Sequence, residues 1–257
     1  MNKNHGKFVW YDLKTTDTHA AEDFYKAVVG WDAKDSGMPD RQYTILSVGP
    51  ATVGGIMPFP KEDRVSNRSS VWTGYIGVDD VDDYANRVKA AGGTVHLKPQ
   101  DIPGIGRFAV VADPHGAVFN LFAGNGDQPV KEAGMAKRGH IGWHELYAGD
   151  READFNFYSS LFGWTKADAM DMGKMGIYQI FKTGGDAPVG GIMTKGPDAP
   201  GPFWLYYITV KGIDEAAERI KKAGGKVLHG PHPVPGDAWI LHGLDPLGAM
   251  FAMVGSK

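Results

Sequence analysis

A chain that repeats itself end to end has few folds open to it, because each copy must build the same set of elements. Here Trp10-Tyr11-Asp12-Leu13 returns as Trp143-His144-Glu145-Leu146, and Phe24-Tyr25 followed by Gly30-Trp31 returns as Phe157-Tyr158 followed by Gly163-Trp164. Val53-Gly54-Gly55-Ile56-Met57 returns as Val189-Gly190-Gly191-Ile192-Met193, and Ala91-Gly92-Gly93 as Ala223-Gly224-Gly225. Asp113-Pro114-His115-Gly116-Ala117 returns as Asp245-Pro246-Leu247-Gly248-Ala249. Five co-linear matches at near-constant separation make the two halves copies of one domain. We place the first copy at residues 1–124 and the second at 139–257, joined by a linker, 125–138, that contains Gly, Pro and Lys but no apolar periodicity.

Each copy reads as strand, helix, strands, helix, strands. Asp17 and Asp150 stand where an N-cap belongs, and Ala20, Phe24, Val28 and Ala153, Phe157, Leu161 fall at i, i+4, i+8, one apolar helix face. Gly30 and Gly163 then supply the left-handed stop. A second helix in each copy carries Val81, Tyr84, Val88 and Ile213, Ala216, Ile220 and ends near Gly92 and Gly224. Strands are predicted at 43–48, 71–78, 107–112 and 118–122, and at 178–181, 203–210, 239–242 and 250–254. The paired glycines lack the spacing and Lys of a phosphate loop and are expected to mark a bend in a strand.

Composition excludes whole classes of function. A chain of 257 residues, 42% hydrophobic and 22% charged, can build two ordinary cores. With a net charge of −3 and scattered Lys and Arg it lacks the footprint of a nucleic-acid binder. No apolar run approaches the roughly 18 residues that span a bilayer, and the first residues lead into a strand-like segment instead of a signal sequence, so a cytoplasmic location is expected. The absence of cysteine removes disulfides, thiolate metal sites and Cys nucleophiles.

On a strand, Trp10 and Asp12 share one face, as do Trp143 and Glu145, while Tyr11 and His144 turn to the other. An acid inside a strand is costly unless paired, hydrogen-bonded or wet, so finding one in both copies points to a polar group used within a cavity. The alternative is an acid held by a neighbouring donor, Arg107 being one. Glu145 against Trp143 suits a general acid or base. His144 is expected at a surface or interface, His115 in a turn, and His229-Gly-Pro-His232 with His242 in a loop or at a strand edge, where a metal site is the competing reading. Their counterparts in the first copy are Leu97, Gln100 and Val110.

The Trp-x-acid-Leu stretch, the Phe-Tyr…Gly-Trp block, the central Gly-Gly-Ile-Met and the terminal Asp-Pro-x-Gly-Ala together resemble the vicinal oxygen chelate superfamily of glyoxalases, bleomycin-resistance proteins and extradiol dioxygenases. The resemblance covers nearly the whole chain, twice. It implies an α+β fold of tandem paired βαβββ modules forming two open, mostly antiparallel barrels, each with a concave ligand-binding face. It also implies, in the catalytic branches, a metal held by a His on the first strand, a His or other ligand on the strand opening the second module, and a Glu on the last strand. Those positions fall on Trp10, Thr73 and Asn120 in the first copy and on Trp143, Leu205 and Ala252 in the second. None is a His or a carboxylate, so neither metal nor other cofactor is expected.

The expected partner is therefore a small, partly hydrophobic or aromatic molecule, with no nucleic acid and no membrane. The expected cavity residues are Trp10, Asp12, Thr73, Tyr75, Asn120, Trp143, Glu145, Tyr207 and Ala252, and Glu145 and Asp12 are the catalytic candidates. The alternative is a lyase or dioxygenase of the same superfamily, metal-dependent through other ligands or metal-independent with Glu145 or Asp12 as acid–base.

Overall fold

Local capping sets the helix ends. In the computed structural model, which describes residues 3–39, 41–60, 69–126 and 132–257, the Asp17 carboxylate accepts from the Ala20 amide at 3.0 Å and Asp150 from Ala153 at 2.8 Å. Gly30 and Gly163 close the same helices with φ of 87° and 71°, a conformation other residues adopt only under strain. The second helix of each repeat stops one residue before its predicted glycine, at a C-cap alanine, Ala91 or Ala223.

The first repeat runs β1 (Phe8–Thr15), α1 (Thr18–Val29), β2 (Asp32–Asp35), β3 (Thr44–Val48), β4 (Ala51–Pro58), β5 (Val71–Gly77), α2 (Val81–Ala90), β6 (Thr94–Ile102), β7 (Gly106–Ala112) and β8 (Val118–Gly124). The second runs β9 (Ile141–Ala148), α3 (Arg151–Phe162), β10 (Thr165–Asp171), β11 (Ile177–Lys182), β12 (Gly190–Thr194), β13 (Phe203–Gly212), α4 (Ile213–Lys222), β14 (Lys226–Val234), β15 (Ala238–Leu244) and β16 (Met250–Ser256). This is the α+β pattern of paired βαβββ modules. The middle of the expected linker, residues 127–131, lies outside the described residues.

Each repeat forms one eight-stranded mixed sheet, in the orders β2-β3-β4-β1-β5-β8-β7-β6 and β10-β11-β12-β9-β13-β16-β15-β14. Neither sheet closes on itself. Within each module the first strand lies parallel to the last, as β1 to β4 and β5 to β8, and the pairings of β2 with β3, β3 with β4, β6 with β7 and β7 with β8 are antiparallel. The edge strands β2, β6, β10 and β14 lie outside the predicted strands, because exposed, charged and Pro-containing edge segments carry little periodic signal. Among the described residues no helix is long and apolar enough to cross a membrane.

The residues pack into two compact units, one comprising 1–10, 74–132 and 143–204, the other 11–73, 133–142 and 205–257. Each unit thus takes one module from each repeat, and the repeated motifs explain how. In the first unit the Tyr158 hydroxyl of α3 donates to Asp113 Oδ2 at 3.1 Å and accepts from Trp204 Nε1 at 3.0 Å. Asp113 Oδ1 meanwhile accepts the amides of His115, Gly116 and Ala117, so one carboxylate caps its own turn and anchors a helix of the other repeat. In the second unit Tyr25 donates to Asp245 at 3.3 Å and accepts from Trp72 at 2.7 Å. The Trp of each Gly-Trp pair spans the repeats in the same way: Trp164 Nε1 donates to Gly6 O at 2.7 Å, and Trp31 Nε1 to Gly139 O at 2.6 Å. Phe-Tyr, Gly-Trp and Asp-Pro-x-Gly-Ala are thus devices that pair modules through their buried Tyr, Trp and Asp side chains.

Candidate functional site

The two acids do have donors, but the donor is a tyrosine. Asp12 on β1 lies in register with Gly55 on β4, and Tyr43, just before β3, donates its hydroxyl to Asp12 Oδ1 at 2.7 Å. In the second repeat Glu145 on β9 lies opposite Gly191 on β12, and Tyr178 on β11 donates to its carboxylate. A side chain fits there only if the ring moves: a Cβ on Gly55 would overlap the Tyr43 hydroxyl and Cζ, and one on Gly191 the same atoms of Tyr178. The second glycine of each repeated pair therefore clears a bed on which a tyrosine ring lies to reach the acid, while a Cβ on Gly54 or Gly190 would meet the backbone oxygen of Tyr11 or His144 on the neighbouring strand. Arg107, the partner considered from sequence, is spent on Asp82 and Asp101.

In the second repeat the pair grows into a chain. Trp143 Nε1 donates to the Tyr178 hydroxyl at 2.8 Å, and Tyr147, two residues along the face from Glu145, also donates to the carboxylate and stacks on Phe203 at 4.7 Å. Burial first, then the charge of Glu145, pushes both phenols far up, so both remain protonated donors at any physiological pH. Replacing Gly191 by Ala is expected to evict the Tyr178 ring and break both of its bonds, lowering stability by about 2 kcal/mol in urea unfolding. The same substitution made in a Tyr178→Ala chain is expected to cost little; an equal cost in both chains would show that the ring is not what the glycine accommodates.

His144 is not at a surface. It is 2% exposed, stacks on Phe8 at 3.8 Å, and its Nδ1 lies 2.7 Å from Val189 O, so the imidazole is neutral and donates there. Burial holds it down at about 4. Phe8 in turn packs on Trp164 and Trp204, which places His144 in the aromatic core. His115 does sit in the turn after β7, where its Nδ1 lies 2.6 Å from the buried Asp154.

The other predicted cavity residues fall on matching rungs. In the first repeat register joins Tyr75, Asn120, Val110 and Leu97 across β5, β8, β7 and β6. Tyr75, Phe108 and Val110 form an apolar cluster, against which half-buried Trp10, Leu97 and Phe122 pack. Asn120 is completely buried; its Nδ2 donates to Gly74 O at 3.4 Å, while its Oδ1 has no hydrogen-bond partner. Thr73 is buried, and its hydroxyl lies 3.5 Å from the Asp12 carbonyl, a marginal bond. In the second repeat Ala252 is buried between Tyr207 and His242, and the Tyr207 hydroxyl lies 2.8 Å from His242 Nε2. Tyr43, Tyr178 and Tyr147 were missed from sequence, although Tyr43 and Tyr178 open equivalent strands of the two copies, a signal that was available.

A model of the "Glyoxalase/Bleomycin resistance protein/Dioxygenase superfamily" matches residues 7–121 and again 138–253. The chain belongs to that superfamily. A Mycobacterium tuberculosis protein provisionally named a glyoxylase, CFP32, is 31% identical over 95% of this chain and 93% of its own length. The anthracycline biosynthesis protein DnrV of Streptomyces peucetius is 32% identical over 97% of this chain and 93% of its own. Among solved structures, the Mn(II)-bound glyoxalase from Novosphingobium aromaticivorans superposes with a TM-score of 0.65 at 17% identity, covering 98% of this chain and 82% of that one. The 2,2',3-trihydroxybiphenyl 1,2-dioxygenase from Sphingomonas wittichii gives 0.66 at 13%, covering 100% and 91%. Those structures speak for the fold.

A resident divalent metal needs imidazole or carboxylate donors when no thiolate is available. The inherited positions offer two indoles, a threonine hydroxyl, an amide, an isobutyl and a methyl group, and among the described residues no three His, Cys, Asp or Glu side chains are placed to hold an ion. A resident divalent metal does not fit this donor set.

Proposed function

We propose that the protein binds a small, planar, partly aromatic molecule without a metal ion, against Trp10, Tyr75, Phe108 and Phe122 of the first repeat, with the Asn120 Oδ1 accepting a hydrogen bond from it. The observation that carries this reading is the orphaned Oδ1 itself. A buried acceptor without a partner costs about 1–3 kcal/mol, and it stands on one rung with Tyr75 and Val110 of the aromatic cluster. A ligand donor repays that cost, and the apolar walls supply the rest. Relatives named for anthracycline biosynthesis support a polycyclic aromatic class.

Asn120→Leu tests it. With the hydroxyanthraquinone alizarin as probe and quenching of tryptophan emission as readout, the variant is expected to bind about tenfold more weakly while being about as stable as the parent, because relief of the unpartnered Oδ1 offsets loss of the long Nδ2 bond to Gly74. Equal affinity, or a clear loss of stability, would show that the oxygen serves the fold and not a ligand.

Acid–base catalysis by Glu145 is the second reading, favoured by its position in the Trp143–Tyr178–Tyr147 chain. Two phenols already donate to that carboxylate, and Tyr43 donates to Asp12, which suits a positioning role better than a free base.

A further inference from the structure

The second repeat carries a row of polar side chains where the first repeat is largely apolar. Register pairs Tyr207 of β13 with Ala252 of β16, Ala252 with His242 of β15, and His242 with His229 of β14. Side chains on one rung of adjacent strands stand on one face of the sheet, and Ala252 is short enough for Tyr207 to reach over it to His242. The His232 ring ends the row, 4.2 Å from the centroid of His229, which lies 5.5 Å from that of His242. The matching rung of the first repeat is Tyr75, Asn120, Val110 and Leu97, whose last two members pack in the apolar cluster. Tyr207 and His242 are buried while His229 and His232 are exposed, so the row leads from the interior to its rim. β14 is the edge strand of its sheet, the strand-edge location expected for His229 and His232, whereas His242, expected there too, is buried on the inner strand β15 because β14 and β16 flank it.

We propose that this row is a proton-accepting binding site for a neutral molecule bearing an acidic hydroxyl, a phenol or an enol, whose proton passes to the imidazoles. The ligand O–H bond breaks, an N–H bond forms on His229 or His232 at the rim, and the ligand oxyanion remains beside the imidazolium with no change in total charge. The groups acting on His242 are Tyr207, through its hydroxyl, and the two neighbouring imidazoles; no carboxylate contributes. Burial, then His229 and His232, holds His242 down at about 4, and burial with His232 lowers His229. His242 and His229 therefore offer bases without a standing positive charge near neutral pH. A phosphate or carboxylate arrives without a proton and meets uncharged imidazoles, whereas an acidic hydroxyl brings its own proton. Because these histidines are not placed to hold an ion together, the row works with protons and not as a metal centre.

Visible spectroscopy of alizarin with the full-length protein tests this, since the dye changes colour when its phenol ionises. Just below the pH at which the free dye ionises, the bound dye is expected to show the ionised spectrum, with or without EDTA. In the His229→Gln/His232→Gln double variant, whose substitutions are exposed and whose fold circular dichroism verifies, the ionised fraction is expected to fall at least tenfold. A bound dye that stays neutral, a shift that survives the double variant, a shift abolished by EDTA, or no dye binding at all would each overturn the proposal. Binding without ionisation leaves the Asn120 reading standing, and Asn120→Leu, which does not touch this row, reports on that reading separately.

Discussion

Between about pH 6.5 and 4, the His144→Phe variant is expected to lose about 3 kcal/mol less stability than the parent protein. His144 titrates at about 4 in the folded chain against an ordinary 6.5. Within that window the unfolded chain binds a proton that the folded chain refuses, so stability rises with pH by about 1.4 kcal/mol per unit for each such group. The contribution is fully present above 6.5 and lost as pH falls through the window. His242, held near 4 as well, adds a second proton of the same sign. Asp113 opposes them: burial first, then Asp154, raises it to about 6, so the folded chain holds a proton the unfolded chain releases. Its contribution is present below the usual carboxylate value of 3.8 and lost as pH rises through 6. Asp245 is raised too, and His115, lifted by its bond to Asp154, likewise favours the acid side. Phenylalanine suits position 144 because the ring already stacks on Phe8 and the Val189 carbonyl keeps the residue 144 amide as a donor, 3.1 Å away. Urea unfolding at a series of pH values reads the slope; parallel curves for the two proteins would show that His144 titrates normally.

Trp164→Ala is expected to destabilise the protein by about 3–5 kcal/mol, lowering Tm by roughly 10 °C. The indole is 1% exposed and sandwiched, its ring stacking on Phe181 at 4.5 Å and on Tyr158 at 5.0 Å. Its Nε1 meets the carbonyl of Gly6, a residue of the other repeat. Alanine removes the packing, leaves a cavity and strands that carbonyl, while phenylalanine keeps most of the packing and should cost about 1–2 kcal/mol. Thermal unfolding of both variants measures the split. An alanine variant within 1 kcal/mol of the parent would show that Trp164 does not tie the repeats together.

Much of this architecture was legible in the chain because its signals are local. An Asp three residues before the amide it caps, or a glycine at a left-handed stop, acts within one turn of helix, so Asp17, Asp150, Gly30 and Gly163 could be placed without knowing what the helices touch. The internal repeat similarly set the element order, and the residue types at the inherited ligand positions spoke against the superfamily's metal.

What the tertiary structure alone decided depends on register and on partners far away in sequence. Asp113 meets Tyr158, and Asp245 meets Tyr25, across the two repeats; no local pattern announces either pairing. Tyr178 finds Glu145 because three strands align so that Gly191 lies beneath the ring, and the row from Tyr207 to His232 exists because four strands align on one rung. His144, expected at a surface or an interface, is buried against Phe8 of the other repeat because the strand's rear face is closed by aromatics from residues 8, 164 and 204. Alternation along a strand says which side chains share a face, but which face becomes core is settled by what packs on it, and that information is spread over the whole chain.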